Sequence, residues 1–382
     1  MRAGRGVRRV PGLAGSLLIA AVVAVVPVGR AGAVTARAAP EAVLAGTGVL
    51  DDVVAITPRD AWAVGHYGSL AHPRILIEHW NGTAWHRMPV SPAAGWLDSV
   101  AATSARDVWA TGLSGTRALI LHFDGAEWRR VASPAAGHGP AVLAGVAALS
   151  RHDGWAAGIT GDKVLIEHWN GTSWTRVPSP SPQRQSLLSG VSAASPRDVW
   201  AVGGISKTLI LHWNGIRWRR VPSPSPGTGA VLDGVTAVSA RDAWATGSSA
   251  RGALILHWNG TAWRPARIPA AGPGAALIGI TATSPRSLWA VGATAGLAGA
   301  STLRTGPAAP APGTGPAAEP LILHWNGTTW RRISIPRPAS GGMLIGTYAA
   351  SRTNTWAVGC TRTFAATRAR PLALHWNGTA WK

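Results

Sequence analysis

The chain has 382 residues, a formal net charge of +20, 46% apolar residues, 21 tryptophans and one cysteine. That lone cysteine, Cys360, excludes an intrachain disulfide, so an exported fold must rest on a large buried core. The basic residues are nearly all arginine amid abundant Ala, Gly and Pro, the bias of a high-GC bacterial genome rather than of a nucleic-acid-binding surface.

Met1 to Arg9 carries four arginines and no acid, and an apolar run from Gly12 to Val28 follows. Small-residue sites at Ala31-Gly32-Ala33 and Ala36-Arg37-Ala38 complete the pattern of a signal peptide over residues 1–38. Pro27 and the short run argue against a membrane span, and Arg8-Arg9 permits twin-arginine export as an alternative route. Residues 39–382 hold 30 of the 36 basic side chains and all 16 acids, which leaves a net charge of +14 after cleavage.

The remainder repeats one unit seven times, beginning at Leu50, Leu97, Leu143, Leu188, Leu232, Leu277 and Leu344. The period is 44 to 47 residues, except that an insertion stretches the sixth copy to 67. Such a period belongs to propellers and solenoids. In the copy starting at Leu188, apolar residues alternate and turn residues fall at fixed places, predicting four strands. Strand a holds Val191, Ala193 and Ser195; strand b runs from Val199 to Gly203, c from Leu209 to Trp213, and d from Arg217 to Val221. Ser-Pro-Arg-Asp joins a to b, and Asn-Gly is expected to join c to d as a two-residue turn. Small residues in strand a fit the axis of a ring, and the tryptophans of b, c and d fit the space where sheets splay apart. The expected fold is all-β: a seven-bladed β-propeller over 50–382, monomeric, with a disordered insertion at 293–320.

The glycine-ended strand b (WAVG, with Gly203-Gly204 in the fourth copy), an aromatic in strand c and a tryptophan in strand d resemble the kelch repeat of galactose-oxidase-like propellers. Tectonin-type lectin repeats are a second resemblance, through their VWAV-like strand. The first implies a propeller, and the second implies glycan binding between blades. The last copy stops at Trp381-Lys382, so the segment 39–49, within it Glu41 to Gly48, is expected to complete that outer edge.

Several recurrent residues resemble a site until they are counted. Histidines 79, 122, 168, 212, 257, 324 and 375 stand at one position in strand c of every copy, which predicts a local structural bond rather than a metal centre. Aspartates 60, 107, 153, 198 and 242 recur in the a-to-b turn, with Ser287 and Asn354 in the last two copies, as turn formers. Five Asn-Gly-Thr sequons, from Asn81 to Asn377, are explained by the hairpins that they occupy. Arginines in strand d, such as Arg219 and Arg220, protect an exposed edge.

The a-to-b and c-to-d turns share one face, which is uniform and presents Arg59, Arg106, Arg197, Arg241 and Arg286, with His152 and Thr353 in the other two copies. The b-to-c and d-to-a loops share the other, which is variable, and variable loops on a rigid frame carry individual function. Its candidate ligand-binding residues are Tyr67 and His72 in the first copy and Arg368 and Arg370 in the loop Thr361 to Arg370 of the seventh. Asp51, Asp98 and Asp233 follow the leading leucine where other copies carry Ala144, Ser189, Ile278 and Ile345. They are expected to ring the channel mouth, with calcium as the candidate ion and solvated strand-start acids as the plain alternative.

Enzyme readings find little support. Two tyrosines, Tyr67 and Tyr348, do not make a galactose-oxidase copper centre, and no sialidase set assembles. A glycoside hydrolase needs opposed carboxylates, and the non-turn acids are chiefly those above with Asp52, Glu78 and Glu167. The expectation is a secreted or cell-wall-associated, non-catalytic scaffold that binds an extracellular protein or an anionic cell-envelope polymer through the variable face. A multivalent lectin is the alternative, and a glycan-active enzyme of the sialidase or galactose-oxidase kind the second.

Overall fold

The computed structural model describes residues 42–43 and 46–382, except 70, 92, 135–139, 182–185, 228, 296–317, 336–337, 339 and 362–368. The expected signal segment and most of the expected linker at 293–320 fall outside those residues. Seven four-stranded antiparallel sheets form, six with their strands in the order a-b-c-d and the seventh with an N-terminal strand beside its strand c. Their inner strands touch in cyclic order, from Val49–Thr57 of blade 1 round to Gly342–Ser351 of blade 7, which packs against blade 1 again. The chain is a seven-bladed β-propeller.

Blade 4 shows how the residues make the unit. Its strands are Leu188–Ser195, Asp198–Gly204, Thr208–Trp213 and Trp218–Arg220. Trp200 pairs across strands with Ser192 and His212, so a small residue lies toward the axis and a ring that can stack lies outward. The indole of Trp200 then packs on blade 5, 5.1 Å from Trp258 and edge-on at 5.2 Å from Trp263. Every blade repeats this contact, and Trp356 closes the circle against Trp80 and Trp85 of blade 1. The tryptophans are therefore the mortar between blades, each burying a large area that a lone sheet would leave in water.

Two features differ from the sequence expectation. The c-to-d connection is a four-residue loop, since Trp80 pairs with Trp85 and the Asn81 N–H donates to the Ala84 carbonyl. The Asn81 side chain takes over the turn, accepting from the Thr83 and Ala84 amides at 3.0 Å and from the Thr83 hydroxyl at 2.8 Å. Gly82 in that loop takes a positive φ, of 96°. Second, strand a carries two register shifts in every blade; in blade 4 they lie between Leu188 and Gly190 and between Ala193 and Ser195. Just before the first, the Leu187 carbonyl faces Gly203, where an added Cβ would collide with it. That collision explains the glycine at the end of each WAVG-like strand b.

Blade 7 draws its outer edge from both ends of the chain. Ala42–Val43 pairs antiparallel with Ala373 and Leu372, while Lys382 exchanges backbone hydrogen bonds with His375 at 2.8 and 2.9 Å. Trp381 is buried there, edge-on to Trp289 of blade 6 at 5.2 Å. Deleting residues 39–48 removes the first half of this composite strand. We expect the melting temperature to fall by roughly 2–5 °C, from a few lost backbone bonds in a chain of this size. Calorimetry of the deletion variant checks it, and an unchanged midpoint would leave the pairing without energetic weight.

Candidate functional site

The seven strand-c histidines are structural, and their partner is the a-to-b turn. In five blades Nε2 lies 2.6 to 3.0 Å from an aspartate Oδ1, as in His212 and Asp198. Ser287 and Asn354 take the same place at 3.2 and 2.8 Å. Each imidazole also lies over the strand-b tryptophan, with centroids 3.9 to 4.4 Å apart. The aspartates expected as turn formers thus orient the histidines that brace the indoles. Burial works to raise Asp107, yet hydrogen bonds from His122, Thr103 and Trp109 hold its carboxyl below the usual range. In blades 6 and 7, which lack the carboxylate, burial lowers His324 and His375. Asn354→Asp is therefore expected to raise the His375 pKa, read by NMR titration of its ring protons. No upward movement would show that the turn carboxylate does not set the charge of this histidine.

On the variable face, the structure gathers some candidates and separates others. Tyr67, half-buried near the end of strand b (Asp60–Ser69), lies 4.9 Å from the Arg87 guanidinium and 5.8 Å from that of Arg74. His72 is exposed at the start of the facing strand and its backbone N–H donates to the Ser69 hydroxyl at 3.2 Å. Arg370 is exposed opposite Thr361 in blade 7, and Arg368 lies outside the described residues.

Asp51, Asp98 and Asp233 each occupy the first register shift of their strand. Each carboxylate expected at the channel mouth has its own local contacts. Asp51 Oδ2 lies 3.0 Å from His66 Nδ1, and Asp98 accepts from the Trp96 indole at 3.2 Å. Asp233 is buried in the channel wall. Among the described residues no group of three or more His, Cys, Asp or Glu is placed to hold a metal ion. Burial opposes charge on His66, but the bond to Asp51 and the charges of Asp51 and Asp98 raise its pKa. His66 and Trp96, with ring centroids 6.4 Å apart, belong to different copies of the repeat. Both depart from the repeat, which is the sign that the sequence offers of their role.

The central channel, about 270 Å³, is walled by strand a of all seven blades. Asp52 clamps its wall, accepting from the Ser99 hydroxyl at 2.8 Å and the Val100 amide at 3.0 Å in blade 2. Glu78 and Glu167 sit in different blades, Glu78 against Arg87 at 3.2 Å and Glu167 accepting from Ser133 at 2.8 Å. They do not form an opposed catalytic pair. A groove of about 630 Å³ between blades 5 and 6 is bordered by Trp325, Arg264, Arg267 and Thr328.

The turn face is more uniform than the sequence register suggests. Blades 3 and 7 carry Arg151 and Arg352 one position before His152 and Thr353, so every a-to-b turn presents one exposed arginine. At the five regular turns the stem lies across the glycine of its own blade's c-to-d loop, as Arg59 does over Gly82.

No family model matches the chain, and no curated protein matches it in sequence. Solved propellers match it in shape. YCF48 bound to D1 peptide aligns at 13% identity and a TM-score of 0.55, over 87% of this chain and 95% of that one. The WD40 propeller domain of Doa1 aligns at 13% and 0.55, over 86% and 94%. PorZ of Porphyromonas gingivalis, a bacterial surface component of the type-IX secretion system, aligns at 12% and 0.50, over 88% of this chain and 38% of its own. At these identities the likeness is one of fold: the chain is similar to seven-bladed propellers of the WD40 and YCF48 kinds.

Proposed function

We propose that the chain is a secreted, non-catalytic binding propeller that holds one extracellular protein partner on its variable face, beside Tyr67. The observation that carries this reading is the contrast between the two ends. Recurrent aromatic residues are used up between blades, whereas Tyr67, Arg74 and the exposed His72 occur in one blade alone. A tyrosine flanked by two guanidiniums is a compact anchor of the kind that dominates protein interfaces. The kelch-like order of the repeat and the N-terminal export pattern agree with this assignment, as does the capture of YCF48 with a peptide. Separate placement of Glu78 and Glu167 supports the non-catalytic part.

Calorimetry on a partner identified by affinity capture tests the site. One partner per chain is expected, with Tyr67→Ala and Arg74→Ala each weakening binding at least tenfold, about 1.4 kcal/mol. Several glycan ligands per chain, indifferent to both substitutions, would instead favour the lectin and its interblade grooves.

A further inference from the structure

The opposite end of the propeller carries charge that the fold does not use. Seven exposed arginines, one per a-to-b turn, encircle that end of the channel. The carboxylates nearest in sequence are committed elsewhere: Asp60, Asp107, Asp153, Asp198 and Asp242 to histidines, Asp124 and Glu127 to Arg129. No ion pair among the described residues includes a turn arginine. In five blades the first carbons of the arginine side chain lie over the glycine of the c-to-d loop, Gly82, Gly125, Gly215, Gly260 or Gly327. The seven exposed arginines, one on each successive blade, therefore spread positive charge around the whole end of the ring.

A second observation lies on the same end. In five blades the third residue of the c-to-d loop is a threonine that hydrogen-bonds to the loop asparagine. Blade 4 has Ile216 there, 80% exposed, followed by exposed Arg217. Nothing in the blade packs against this side chain or requires it, and the other blades build the same loop without it.

We infer that this end of the propeller docks on an anionic lipid surface, with the arginine ring against headgroup phosphates and Ile216 entering the interfacial region. A cation on every blade favours a partner that presents anions over an area. A straight polymer or peptide crossing the ring reaches only the blades beneath it, whereas a headgroup plane meets all seven at once. Each basic side chain near such a surface adds to the attraction, and salt weakens it. The site is independent of the one beside Tyr67, which faces away from it.

The test is sedimentation of the purified chain with phosphatidylcholine vesicles, with and without phosphatidylglycerol. Binding is expected only with the anionic lipid. Replacing Arg59, Arg106, Arg197 and Arg241 together by serine should lower the partition coefficient by about a hundredfold or more. A charge-matched control, with Arg117, Lys163, Lys207 and Arg251 replaced by serine on the other end, should stay within about threefold of the parent. Ile216→Thr, which restores the side chain of the other blades, should weaken binding several-fold; all variants should keep the parent melting temperature. Equal losses in the two charge variants would reduce the effect to net charge and overturn the assignment. So would failure to pellet with anionic vesicles, including the case in which soluble polyphosphate binds and vesicles do not.

Discussion

Trp200→Ala is expected to destabilise the propeller by about 3–5 kcal/mol, the upper range for removing a buried aromatic side chain. Trp200 is fully buried, lies 4.1 Å over His212, and reaches into blade 5 to meet Trp258 and Trp263. Removing it opens a cavity between two sheets that a closed ring holds apart, so neither can move in to fill the space. It also strips the cover from the His212–Asp198 bond, 2.6 Å long. Trp213→Ala is the natural contrast. That indole is half-exposed and its N–H donates to the Pro196 carbonyl at 3.2 Å, so its loss should cost about 1–2 kcal/mol. Urea unfolding of the two variants measures the difference. Equal losses would contradict the view that the strand-b tryptophans carry the interblade packing.

The ring was legible because repetition makes each inference seven times over. Alternation and turn residues named the strands, and graded side-chain size oriented them toward the axis. What repetition could not supply was the register inside strand a. A bulge adds a residue without changing composition or polarity, so Asp51, Asp98 and Asp233 read as strand-start acids free to converge. In the structure Asp51 and Asp98 lie about the His66 and Trp96 rings where blades 1 and 2 meet, whereas Asp233 is buried in the channel wall of blade 5. The invariant glycine of strand b was the clue, since only a carbonyl pushed toward it forbids a Cβ there. Position-by-position alignment also hid two of the seven turn arginines. Arg151 and Arg352 sit one residue early, which a turn tolerates and a strict repeat count does not.

Glu167→Leu should stabilise the protein at neutral and alkaline pH, by up to about 3 kcal/mol, and have little effect near pH 4. Five blades carry leucine at this place in strand c; blade 3 carries Glu167, fully buried where blades 2 and 3 meet. Burial pushes its carboxyl from 4.5 up to about 7, against the Ser133 hydroxyl and the charge of Arg176, which favour ionisation. Oε2 has no hydrogen-bond partner. With the folded pKa above the unfolded one, the native state holds the proton more tightly between these values. The stabilisation from the neutral acid is complete below about pH 4.5 and is lost as pH rises through about 7. Above that, an incompletely paired carboxylate stays between two sheets at a cost of roughly 1.4 kcal/mol per pKa unit. Leucine removes the charge and supplies the side chain that neighbouring blades already pack. Urea midpoints of parent and variant, compared from about pH 4 to 9, should diverge through the neutral range. A difference that is constant with pH would mean that Glu167 does not ionise inside the fold over that range.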